Sequence, residues 1–207
     1  GNDLLLIGTV RSTKGNIEIE STSGKVILNS KNQIVHALAG EVKLTASAGS
    51  IQLQNIVSGD DVTLLAHHDI AILDKILLNT GNFSAIVNGG SFSMSGIPGG
   101  IQTLDAGGND GNISITLTAT GAIASIQNLT ATGQININTE GRIILSGAMR
   151  GSGISVTQQA GDMILAAAII STDRTPSSAD GNIEIKSIGS INSLGNGIDS
   201  IKVLSGG

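Results

Sequence analysis

Gly111-Asn112-Ile113-Ser114-Ile115 and, one repeat later, Gly133-Gln134-Ile135-Asn136-Ile137 are the stretches that decide the fold. Each is a glycine, one polar residue and an apolar–any–apolar triplet. Alternation with period two describes a strand that buries one face and shows the other to water. The same unit stands at Gly15-Asn16-Ile17-Glu18-Ile19, Gly40-Glu41-Val42-Lys43-Leu44, Gly81-Asn82-Phe83-Ser84-Ala85 and Gly181-Asn182-Ile183-Glu184-Ile185. Looser copies are Asp61-Val62-Thr63-Leu64 and Gly153-Ile154-Ser155-Val156.

Each copy is followed by a second glycine-led strand, starting at Gly24, Gly49, Gly90, Gly121, Gly141, Gly161 and Gly189, with Asp69-Ile70-Ala71-Ile72 lacking its glycine. Between these pairs lie short apolar remnants: Ile34-Val35, Ile56-Val57, Ile76-Leu77-Leu78, Ile126 to Leu129 and Ile169-Ile170. They predict a third, less regular side. The expected fold is all-β: a three-sided parallel β-helix, or β-solenoid, of about eight coils, running as a single segment over residues 1–207. Glycine is expected at the corners to supply a dihedral that bulky residues resist. One coil buries too little apolar surface to offset its own ordering, so stability is expected from stacking between neighbours.

Composition agrees with this reading. The chain holds 29 Gly, 40% hydrophobic residues, 1% aromatic and 13% charged residues. Glycine and the β-branched residues disfavour a helical domain, and the even spread of aliphatics disfavours disorder. With no Cys, neither a disulfide framework nor a thiolate metal site is available. A net charge of -5 without basic clusters argues against nucleic acid as a partner. The apolar runs Leu4 to Ile7 and Ala166 to Ile170 are too short for a membrane span. A start at Gly1 without Met or a signal pattern is expected of a segment of something longer.

Triplet alternation sorts the core from the surface. Ile17, Ile19, Val42, Leu44, Ile135, Ile137, Ile183 and Ile185 are expected inside. On the first strand the outward residues are Glu18, Lys43, Thr63, Ser84, Ser114, Asn136, Ser155 and Glu184, all polar. On the second they are Ile27, Gln52, Ala71, Ser93, Ala124, Ile144, Ile164 and Asn192. Ile144 and Ile164 would stack in adjacent coils as an apolar strip, able to receive a partner or to be covered by the third side or by residues 171–180. The asparagines Asn16, Asn82, Asn112 and Asn182 follow corner glycines, where an amide bonds to backbone of its own or a neighbouring coil; that reading is preferred to a glycosylation or ligand role. Unit spacing stretches around Ser95 to Asp110 and Ser171 to Asp180, each with one of the two prolines, Pro98 and Pro176, and both are expected to be inserted loops.

Several chemical constellations are weighed and set aside. Gly59-Asp60-Asp61 resembles the paired aspartates of polygalacturonases, but the other motifs of that family have no match and the two acids read better as a corner. His67-His68-Asp69 would diverge on a strand instead of sharing a metal, and a turn or surface pair is the preferred reading. Gly107-Gly108-Asn109-Asp110-Gly111 lacks the register of calcium-binding glycine-rich repeats. Thr116, Thr118 and Thr120 belong to one stretch and make no threonine column along the stack. No catalytic residue, cofactor or metal is assigned.

The Gly-Asn-Ile-x-Ile and Gly-x-Ile-x-Leu units resemble the repeats of filamentous haemagglutinin-like exoproteins of two-partner secretion, from about Gly15 to Val203. The resemblance implies a right-handed helix and a secreted or cell-surface shaft, although the Asn-Pro-Asn-Gly signature of that family's secretion module is not present. The expected function is a structural and adhesive extracellular rod or filament subunit and not an enzyme. The alternative is a carbohydrate-active β-helix lyase or hydrolase. Expected partners are further coils or copies stacked end to end, and a host or surface glycan or protein.

Overall fold

The computed structural model describes residues 2–28, 34–94, 100–104, 111–166, 169–171 and 183–193. Every strand in it lies in one of three parallel sheets, so the chain is an all-β solenoid with three sides. The first side has eight strands: Ile17–Ser21, Val42–Ala46, Val62–Ala66, Phe83–Val87, Ile113–Leu117, Ile135–Thr139, Ile154–Gln158 and Ile183–Ser187. The second has nine: Leu4–Leu5, Val26–Leu28, Ile51–Leu53, Ile70–Ile72, Phe92–Met94, Ile123–Ile126, Arg142–Leu145, Met163–Leu165 and Ile191–Ser193. The third has eight: Val10–Ser12, Ile34–Ala37, Asn55–Ser58, Lys75–Leu78, Gly100–Thr103, Leu129–Thr130, Met149–Gly151 and Ile169–Ser171. Each strand pairs with its counterpart one coil away, as a parallel ladder requires a full crossover between partners.

The expected third side is present and pairs as continuously as the others, although its strands vary from two to four residues. Its strands share no recurring glycine-led triplet, and only pairing with the coils above and below reveals them as one sheet. Ile126 belongs to the second side, and the third resumes at Leu129. The stretch from Ser95 to Asp110 is likewise not one inserted loop, because Gly100–Thr103 is a strand in register with Lys75–Leu78. The remainder of that stretch, residues 95–99 and 105–110, lies outside the described residues, as do 172–180 of the second expected insertion.

Inside the triangle runs a single core of stacked Ile, Leu, Val and Ala. Ile17, Val42, Leu44, Ile135 and Ile137 are buried as expected. Ile19, Ile183 and Ile185 are only partly buried, because their strands are the outermost described strands of the first side and pack against one neighbour instead of two. Both phenylalanines fit a narrow core by local compensation. Phe83 shares its strand with inward Ala85, and Phe92 stacks in register on Ala124.

That last pairing corrects one face assignment. Ser93 pairs with Ser125, which pairs with Ile144, so Ser125 occupies the outward column and Ala124 points into the core. Ala122, not Gly121, is the counterpart of Gly141, since Ile123 pairs with Arg142. The paired residues of this strand stand one residue further from Gly121 than those of the neighbouring strands stand from Gly90 and Gly141. A shift of one residue exchanges the faces of a strand.

The corner glycines supply the expected dihedral at some corners, Gly81 and Gly161 among them, and serve a second purpose at others. Among the described glycines, positive φ occurs at Gly8, Gly81, Gly100 and Gly161. Gly49 and Gly141 have ordinary φ, but a Cβ on either would collide with a backbone carbonyl oxygen of the preceding coil, that of Gly24 and of Ala122 respectively. Close stacking of corners excludes a side chain there.

Candidate functional site

The corner asparagines form a ladder along the edge that leads into the first side. Asn16 Nδ2 donates to Glu41 Oε1 at 2.8 Å, and the Glu41 amide donates to Asn16 Oδ1 at 3.2 Å. The Asn82 amide donates to Asp61 Oδ1 at 2.6 Å, the Asn112 amide to Asn82 Oδ1 at 3.0 Å, and the Gln134 amide to Asn112 Oδ1 at 2.7 Å. Each side chain thus satisfies a backbone N–H of the next coil that the turn leaves outside the strand ladder. The structural role expected of Asn16, Asn82 and Asn112 holds, while Asn182 lies outside the described residues.

A second ladder follows the corner into the second side. The amides of Lys25 and Ser91 donate to Asp3 Oδ1 and Asp69 Oδ1 at 3.0 and 2.8 Å. Those of Asp69 and Ile123 donate to Ser50 Oγ and Ser91 Oγ at 3.2 and 3.0 Å. Sequence reading missed this ladder, because Asp, Ser and Lys share no motif and only their register unites them.

These ladders account for the acidic candidates. Asp60 and Asp61 sit in the turn between Asn55–Ser58 and Val62–Ala66, so the corner reading is right. Their side chains nevertheless converge: a Cβ on Gly81 would stand 2.6 Å from Oδ1 of each. Asp61 is committed to the Asn82 amide. His67 and His68 lie in the turn after Val62–Ala66, as the preferred reading had it, and their rings do not diverge. Their rings meet edge to face with centroids 4.7 Å apart, both exposed. Among the described residues no group of three His, Asp or Glu side chains converges as a metal site. Of the glycine-rich stretch only Gly111 is described; its amide donates to Thr132 Oγ1 at 3.2 Å and its carbonyl accepts from Thr103 Oγ1 at 2.7 Å.

The outward faces are what the fold offers to a partner. Ile144 and Ile164 are in register on the second side, half-buried, with Ser125 and Asn192 as the next members of their column. The third side forms its own sheet and does not cover them. Its outward column runs Arg11, His36, Val57, Leu77, Gln102, Thr130 and Arg150.

First-side strands are five residues long and carry two outward columns. One is the expected polar column from Glu18 to Glu184, in unbroken register. The other runs Glu20, Thr45, Leu65, Ile86, Thr116, Asn138, Thr157 and Lys186. The triplet reading stopped one residue short of it; extending the alternation to the fourth residue would have found it. Lys43 Nζ lies 2.7 Å from Glu18 Oε1, and that hydrogen bond and charge hold the ammonium above the usual lysine range.

No family model, curated protein or solved structure matches the chain. No helix among the described residues is long and apolar enough to cross a membrane.

Proposed function

We propose that this chain is a segment of an extracellular, rod-like β-solenoid that serves as an adhesive shaft or filament subunit at a cell surface. The observation that supports this reading most is the unbroken parallel register of all three sides over successive coils. Such a stack is stiff, lengthens by addition of like coils, and presents its side chains in straight columns. The outermost described strands, among them Ile17–Ser21 and Ile183–Ser187, have a partner on one side only, so their backbone groups suit further coils or another copy stacked end to end. The resemblance of the repeats to filamentous haemagglutinin-like exoproteins points to the same place and task.

The test is to follow purified chain by light scattering and electron microscopy, and to measure its attachment to cells and particles. Concentration-dependent growth into rods, with retention on a surface, is expected. A strictly monomeric particle that attaches to nothing would overturn the proposal. Release of reducing sugars from a polysaccharide panel would replace it with a carbohydrate-active enzyme.

A further inference from the structure

We propose that the central part of the first side is the adhesive face and that its partner is an uncharged polysaccharide chain. The proposal rests on the adhesive reading above. Five successive strands there turn ten side chains outward: Thr63 with Leu65, Ser84 with Ile86, Ser114 with Thr116, Asn136 with Asn138, and Ser155 with Thr157. None is ionisable. Charge returns only beyond this stretch, at Glu18, Glu20 and Lys43 on one flank and at Glu184 and Lys186 on the other.

The other sides are narrower or charged. The third carries Arg11, His36 and Arg150 in its one outward column, and the second has a single column; titratable residues border the first side as well, at Asp61, His67, His68 and Glu140, but none stands within its two columns from Thr63 to Thr157.

Size and charge together select the occupant. Strands about 4.8 Å apart with a rise of about 3.3 Å per residue make this stretch roughly 24 Å by 16 Å, on the order of 400 Å². A stable protein interface buries about 800 Å² per partner, so a second copy is not held by this face alone. A polyanion or polycation finds no counter-charge within the two columns to offset the water it would lose there. A neutral glycan finds hydroxyls and amides along both columns, with the Leu65–Ile86 pair for the C–H face of a sugar ring.

Aromatic stacking takes no part. The chain's only aromatic side chains other than histidine, Phe83 and Phe92, are both buried. Binding then comes from many weak contacts repeated along the stack, and it grows with ligand length.

The probes are particles of amorphous cellulose, chitin and mannan, with polygalacturonate-coated and chitosan-coated particles as charged counterparts. The chain should be retained on at least one neutral probe about tenfold better than on either charged one, with little effect of salt. Soluble fragments of that polymer should compete better as they lengthen. Thr116→Lys, in the middle of the face, should lower retention about tenfold, whereas Gln102→Lys on the third side should not, both variants keeping their β circular dichroism. Retention on none of the neutral probes, preference for a charged one, equal loss from both variants, or dissociation of a dimer by Thr116→Lys would each overturn the inference. Failure on neutral probes with continued attachment to cells would remove this face and this ligand but leave the adhesive reading standing. Failure to attach to any surface would remove both.

Discussion

Ile137 and Asn138 are neighbours in sequence and opposites in environment: the first is 1% exposed in the core, the second faces solvent. Ile137→Asp forfeits the buried aliphatic and places an unpaired charge among apolar neighbours, and should cost several kcal/mol. Ser114→Asp, on the outward face, should change stability by less than about 0.5 kcal/mol. Thermal melts of the two variants check the face assignment, which fails if their losses are equal. The ladder makes a similar distinction among asparagines. Asn82 Oδ1 accepts from both the amide and Nδ2 of Asn112, each at 3.0 Å, so Asn82→Ala should cost about 1 kcal/mol in chemical denaturation. Asn138→Ala, also exposed but outside the ladder, should cost a few tenths at most. The Lys43–Glu18 pair adds little, since both side chains are about half exposed or more. Its sign is clear: the raised lysine contributes while it is protonated, and the contribution disappears as pH rises through the folded-state value.

Corners, more than strands, set the tolerances of each coil. Gly121 and Gly141 look equivalent in the repeat but stand in different places. A Cβ on Gly141 would collide with the Ala122 carbonyl oxygen, whereas a Cβ on Gly121 would meet nothing within 4 Å. Gly141→Ala should therefore destabilise by about 2 kcal/mol or more, as overpacking against a backbone does. Gly121→Ala should be neutral or stabilise slightly by restricting the unfolded chain. Melting temperatures that move together would show that the extra residue after Gly121 has been misplaced. The strands themselves are uniform enough that each inward position meets the same position one coil away.

A stack of like units should respond to changes made in whole coils differently from changes made in fractions. Ile135 pairs with Ile154, so excising residues 135–153 removes one strand from each side and brings Gln134 onto Ile154 in an unchanged register. The shortened chain should stay folded with a moderately lower melting temperature, as nearest-neighbour energetics require. Excising residues 135–144 instead removes part of a coil and should abolish cooperative melting, because the strands that follow lose their partners. Circular dichroism melts of the two deletions test whether the coil is the folding unit.

Much of this molecule was legible in its residues because the decisive signal is local. An Ile-x-Ile triplet beside a glycine declares a strand and its buried face, and repetition of that signal declares a stack. The polar column from Glu18 to Glu184 followed directly, since the repeats supply their own alignment. Tertiary structure alone decided matters that depend on the neighbouring coil. Counting from Gly121 as from the other glycines would put Ile123 and Ser125 inward, and it is the register with Phe92 in the preceding coil that puts Ala122, Ala124 and Ile126 there instead. The third side carries no recurring glycine-led triplet to align one coil with the next, and it exists as a sheet only through pairing. The aspartate and serine ladder, the collision that demands Gly141, and the uncharged breadth of the first side share one physical origin. Each is a contact or column between residues one coil apart, where the lattice of the stack sets the distance and periodicity along the chain carries no record of it.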